Sequence, residues 1–113
     1  MELLSRTARM ILDKKGDRLV LIDLRGTTIP TDFFLLAEGD NPVHVQAIAA
    51  HLMERLPVAP RHTEGLSDGR WVLLDYGDFV VHLFAREVRA FYDLEGLWPD
   101  KVVAGWPPPD SPL

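Results

Sequence analysis

The sequence contains no cysteine. That removes every thiolate nucleophile, every cysteine-bearing zinc site and every disulfide, and the compartment to expect is a reducing one, the cytoplasm. There is also no run approaching the ~18 uninterrupted apolar residues of a membrane span. The opening MELLSRTARM has no long apolar stretch ahead of a small-residue cleavage site, so neither membrane attachment nor an export signal is expected. Positive charge is scarce: 12 Lys and Arg face 17 Asp and Glu, a net charge of −5, and the isoelectric point is about 5.2. Neutralising a nucleic-acid backbone needs clustered Lys and Arg, so no sequence-specific nucleic-acid surface is expected. A basic protein is the partner that the acidic balance favours.

Further deficits concern chemistry. No glycine-rich phosphate loop with a following Lys and Ser or Thr is present. Ser5, Ser67 and Ser111 fall in a first helix, a loop and a tail, none of them in a G-x-S-x-G elbow. His44 and His51 are seven apart, which on one helix separates them by ~10 Å, too far to share a metal unaided. His62 and His82 lie in strand-like runs without ligand spacing. Asp23, Asp32, Asp75 and Asp78 are the one set of oxygen ligands to weigh for Mg²⁺. Asp75 and Asp78 flank a turn, where Asp is favoured for hydrogen bonds to its own backbone, and turn chemistry is the stronger reading. The expectation is no metal, no cofactor and no catalysis.

What is present is the profile of one ordinary domain: 113 residues, 47% hydrophobic and 26% charged. A chain of this length buries roughly two-thirds of the surface its unfolded form exposes, enough for one core. Leu3, Leu4, Thr7, Ala8, Ile11 and Leu12 recur at helical spacing until Gly16, predicting an amphipathic first helix. RLVLIDL at 18–24 is a nearly continuous apolar run and predicts a strand covered on both faces. GTTIPTD is a connector, and FFLLAEG predicts a second strand ending at Gly39. A helix follows, with Asp40 or Asn41 as its cap, Pro42 in its first position, and a stripe of Val45, Ile48, Ala49, Leu52 and Leu56 before Pro57 stops it.

Val58 to Glu64 predicts a short or edge strand, because Pro60 cannot donate to a ladder. After the loop GLSDG, WVLLDYGDFVVHLF predicts an antiparallel hairpin around Asp75-Tyr76-Gly77-Asp78. Val88, Phe91, Tyr92 and Glu95 then predict a terminal helix over 86–97, closed by Trp98-Pro99. The domain is expected to span 1–99, with 100–113 a proline-rich tail hanging free of it. The order α-β-β-α-β-β-β-α gives an α/β (α+β) fold, one mixed sheet of about five strands flanked by helices. Aromatics concentrate in the last third: Trp71, Tyr76, Phe79, Phe84, Phe91, Tyr92 and Trp98. Most should be core, yet Trp and Tyr are also the commonest anchors of protein interfaces.

In one register, Glu64-Gly65, Trp71, Asp75, Gly77-Asp78, Val80-Val81-His82, Phe84, Arg89, Phe91-Tyr92, Leu94-Glu95 and Leu97-Trp98 resemble the pattern of the Iojap/ribosomal silencing factor family. Upstream, Asp23, Thr31-Asp32-Phe33-Phe34, Gly39, His44-Val45 and Ile48-Ala49 fit in the same order. The chain departs from the pattern at Asp40-Asn41-Pro42-Val43, where the family usually carries small hydroxyl residues and a basic one. The resemblance implies a fold similar to nucleotidyltransferases without their catalytic apparatus. It implies a translational repressor that binds the fourteenth ribosomal protein of the large subunit and blocks joining of the small subunit when nutrients are scarce. Organellar relatives imply the alternative of a large-subunit assembly factor. Trp71 and Tyr76 are the expected apolar contacts, with Asp75 and Asp78 as partners for Lys or Arg. A Mg²⁺-dependent nucleotidyltransferase-like enzyme and a homodimer off the ribosome are the competing expectations.

Overall fold

The first helix, α1 (Glu2–Asp13), turns Leu4, Thr7, Ala8 and Ile11 inward and leaves Leu12 exposed. The Thr7 hydroxyl, buried with them, donates to the Leu3 carbonyl at 2.7 Å. These elements belong to a computed structural model that describes residues 2–107. The second long helix, α2 (Pro42–Arg55), begins as its composition demands. Asn41 is extended and its side chain accepts the His44 backbone N–H at 2.9 Å, and Pro42 follows in the first position. The departure at 40–43 therefore preserves the helix start. Val45, Ile48, Ala49 and Leu52 are fully buried, and Leu56 closes the stripe just past the last turn.

Five strands form one mixed sheet: β1 (Asp17–Asp23), β2 (Phe33–Gly39), β3 (His62–Glu64), β4 (Trp71–Asp75) and β5 (Phe79–Ala85), in the order β1-β2-β5-β4-β3. Only β2 and β5 pair in parallel. They are also the central pair, buried along nearly their whole lengths, as their continuous apolar runs FFLLAEG and FVVHLFA require. The predicted hairpin is β4 and β5, with Trp71 opposite Phe84 and Asp75 opposite Val80. The strand expected over 58–64 is shorter. Only His62–Glu64 pairs with β4, because Pro60 has no N–H to offer, and it forms a sheet edge.

The helices pack on one sheet face, over Leu21, Leu35, Val81 and Leu74, a row running across four strands. On the other face the matching row is Val20, Leu36, His82, Leu73 and Glu64. Among the described residues no long helix covers that second face.

The terminal helix expected over 86–97 is not formed. Helix α3 ends after one turn (Arg86–Arg89), and two short 3₁₀ turns follow, at Glu95–Leu97 and Pro99–Lys101. A straight helix of that length would run ~18 Å, carrying Leu94 and Trp98 past the sheet. The chain reverses instead, with the Asp93 carboxylate taking the Gly96 N–H at 3.1 Å. Leu94 and Trp98 then lie against the second-face cluster of Ile22, Leu24, Leu36 and Phe84. Phe91, one of the aromatics of which most were expected to be core, is 84% exposed.

The segment after Trp98 does not hang free over its described part. Val102 bridges to Ile22, the Val103 N–H donates to the Leu21 carbonyl at 2.9 Å, and Val103 and Trp106 pack against the helix-side core. This covers the outer edge of β1. Residues 108–113 of the expected tail lie outside the described residues.

The reversal is held by charge. Glu38, at the end of β2, is 1% exposed, and its carboxylate accepts the Arg86 Nε–H at 2.8 Å. Arg89 and Arg18 approach its other oxygen at 3.6 and 3.8 Å. Arg89, itself buried, donates to Glu95 at 3.0 Å and to the Arg18 carbonyl at 2.7 Å. A bulge in β1 between Asp17 and Val20, with Arg18 at φ +51°, accompanies that carbonyl contact. Removing one member strands buried charge, so Arg89→Met should destabilise the fold by about 3 kcal/mol, read as a lower urea midpoint at unchanged slope.

Candidate partner-binding face

Of the four residues singled out in the sequence, Trp71 lies on the second face. Its indole N–H donates to His82 Nδ1 at 3.1 Å. Its ring meets those of Phe84 at 4.9 Å and Tyr92 at 5.0 Å between centroids. The loop before it passes so close that a Cβ on Gly65 would sit 2.0 Å from the Trp71 carbonyl, and Gly65 also has φ +79°. Beyond Trp71 a cleft of about 600 Å³ opens among Asp68, Arg70, Glu87, Val88, Phe91 and Tyr92.

Asp75 and Asp78 frame the hairpin turn. The Asp75 carboxylate accepts the Gly77 N–H at 2.8 Å, which is the turn chemistry expected of it. The β1–β2 connector is fastened to the same turn. Thr31 donates its hydroxyl proton to the Gly77 carbonyl at 2.8 Å, and the Asp32 N–H donates to the Asp78 carbonyl at 3.0 Å. Asp78 itself is exposed. Tyr76 goes the other way. It stacks on Phe79 at 5.1 Å and packs against the helix-side core, so the structure does not bring it beside Trp71. Burial pushes its phenol up to about 12.

Asp23, Asp32, Asp75 and Asp78 do gather at one end of the sheet, but Asp23 is paired with Arg25 at 2.7 Å. Hydrogen bonds from that guanidinium hold it at about 2. Among the described residues no three His, Cys, Asp or Glu converge on a metal position.

Sequence reasoning passed over the centre of this face, His82. It is 4% exposed, with the Phe34 ring edge-on at 4.6 Å. Because Nδ1 accepts from Trp71, the proton of the neutral ring sits on Nε2. Nε2 has no hydrogen-bond partner in the protein, and burial pushes the imidazole down to about 4. The available signal was a lone polar residue inside the apolar run VVHLF. Between the connector at 29–31 and β3 lies a cavity of about 310 Å³, its lining including Phe34, Leu73, Val80, His82, Asp75 and Glu64.

Helices on one face of a five-stranded mixed sheet, and aromatic side chains with an acidic end on the other, define a single α+β domain. A family model described as "Ribosomal silencing factor during starvation" matches residues 1–111. The ribosomal silencing factor RsfS of Halalkalibacterium halodurans is 39% identical over 102 residues, 88% of this chain and 87% of its own. The crystal structure of a Chromobacterium violaceum protein aligns with TM-score 0.80 at 32% identity, over 87% of this chain and 84% of that one. A mouse protein named "Mitochondrial assembly of ribosomal large subunit protein 1" is 30% identical over 74 residues, 60% of this chain and 32% of its own. The chain belongs to the ribosomal silencing factor family, whose members are non-enzymatic regulators of translation.

The His82 environment gives a pH prediction. Its folded value is depressed, so its contribution is present above about 6.5 and is lost as pH falls from there through about 4. The loss is on the order of 3 kcal/mol. Urea midpoints measured from pH 7 to 4 should fall, and fall less for His82→Phe.

Proposed function

We propose that this chain represses translation by binding the fourteenth ribosomal protein of the large subunit through its second sheet face and thereby obstructing the small subunit. The observation that carries this reading is the face itself: aromatic at Trp71 and Phe34, left without a long helix, on a domain of the silencing-factor family. Burying such a face against a partner removes apolar surface from water, and Trp is the residue type most often decisive at interface centres. Asp75 and the exposed Asp78 stand at one end of it, suited to Lys or Arg of a basic protein. Tyr76 contributes from behind, through its stack on Phe79 that holds the turn. The overall charge of −5 favours a basic protein over bare RNA as first contact.

The mechanism needs no chemistry. A domain with a radius of gyration of 12.9 Å occupies enough space at a subunit interface to prevent closure by volume alone. The place of action is the cytoplasm, where ribosomes cycle between free and joined subunits. The competing reading, a Mg²⁺-dependent nucleotidyltransferase-like enzyme, is tested by titration with Mg²⁺ and nucleoside triphosphates; saturable binding would favour an enzyme.

A second reading, a large-subunit assembly factor, rests on the name of the mouse relative. The two separate in cells lacking the protein: assembly failure leaves immature large subunits, whereas lost silencing leaves mature subunits that stay joined in starvation. The homodimer off the ribosome is tested by sedimentation across dilution.

Purified large subunits preincubated with the chain and then given small subunits should yield few joined particles on a gradient. Full joining at saturating protein would refute repression by anti-association. Trp71→Ala should weaken co-sedimentation with large subunits by about 2 kcal/mol, roughly thirtyfold, while Asp78→Lys should slow association most at low salt.

A further inference from the structure

Buried polar groups in folded proteins are almost always hydrogen-bonded, and one left without a partner calls for a reason. His82 is such a group, at the middle of the second-face row and in the lining of the cavity beside β3. Its ring is not free to choose a role. Trp71 donates to Nδ1, which leaves Nε2 as a donor whenever the ring is neutral.

The surroundings describe the acceptor. Phe34, Leu73 and Val80 supply an apolar wall, and Asp75 and Glu64 place two carboxylates at the rim. An anionic acceptor would meet those carboxylates, with Arg61 as the one Lys or Arg among the lining residues. Glu64 is already engaged with His62 at 2.7 Å. A neutral carbonyl oxygen carried by a basic chain fits the donor and the two carboxylates. The carbonyl meets the donor, and Lys or Arg beside it meets the rim.

Nε2 is buried, and of the rings around His82 the Phe34 centroid is the nearest, at 4.6 Å; Phe34 is only half-buried and lines the same cavity. We infer that His82 is the specificity-determining hydrogen-bond donor of this face. When Phe34 turns aside, Nε2–H donates to a backbone or amide carbonyl that the basic ribosomal protein inserts between Phe34 and Leu73. Trp71 then has two tasks, as an apolar contact and as the positioning residue that keeps the His82 proton on Nε2. The inference rests on the ribosomal reading above and names the contact within it. Its selectivity comes from desolvation: a partner lacking the carbonyl leaves the donor buried and unpaired, and gains nothing from seating there.

The test uses the isolated fourteenth large-subunit ribosomal protein and the full chain labelled with ¹⁵N at histidine. In the free chain, His82 should show the Nε2–H tautomer. On complex formation its Nε2–H proton should move downfield and couple to a partner carbonyl. His82→Phe, which keeps the ring and removes the donor, should bind roughly five- to tenfold more weakly. His82→Gln, which restores an N–H near the same position, should stay within about threefold of the parent. The inference is overturned if the proton signal is unchanged in a formed complex, if His82→Phe binds like the parent, or if His82→Gln loses as much as His82→Phe. Should either variant fail to fold, the spectrum of the unsubstituted complex decides alone. Failure of the unsubstituted chain to bind at all would overturn the ribosomal reading itself, a different outcome from normal binding with an indifferent His82.

Discussion

Glu38 ends a central strand with its carboxylate withdrawn from water and three guanidiniums from two parts of the chain directed at it: Arg18 from β1, Arg86 and Arg89 from α3. A buried carboxylate is tolerated only where such partners surround it, and losing one leaves a charge without compensation. That requirement dictates the path of the C-terminal segment. Arg89 must reach both Glu38 and Glu95, so the chain turns back after one helical turn and lays Leu94 and Trp98 over the second face. Trp98 meets Phe34 edge-on at 5.7 Å, and there the covering stops. The remainder of the face, from Trp71 to β3, lies beyond that cover.

The two faces of the sheet are thereby finished differently. The helix-side face is closed by α1 and α2 with aliphatic side chains, and needs nothing further. The other is finished with rings and one histidine, side chains that bury area yet keep polar edges. The connector at 29–32 is pinned to the hairpin turn by Thr31 and Asp32, so the acidic end is a fixed platform tied at two points. Under the steric reading proposed above, a preformed platform matters because little ordering cost is added on binding.

Legibility in the sequence followed the range of the interactions. Both long helices, the central strands and the hairpin rest on periodicity, caps and turn residues within a few positions, and each could be read from Val45, Ile48 and Leu52, from Asn41-Pro42 or from Gly77. The 86–97 helix was misread because Val88, Phe91, Tyr92 and Glu95 share a helical face on paper. An ion pair to Glu38, about fifty positions earlier in the chain, outweighs that local preference. Residues 100–107 were read as free because proline excludes regular structure, yet Val102 and Val103 still bond to β1. In the candidate face, Trp71 and Asp75 were legible as residue types in a hairpin. The opposed placement of Tyr76 was not, since its direction depends on the turn and on Phe79.

By itself the sequence determined the class of domain, its core stripes, its acidic character and, through a register of spaced residues, its family. These depend on composition and on neighbours along the chain. Only the tertiary structure decided that Glu38 gathers three arginines, that the terminal segment reverses, and that His82 lies beneath Trp71 and Phe34 with one nitrogen bonded and the other not. Each of those facts joins residues from distant elements, and the energy of burying a charge or a donor exists only once the fold has taken the water away.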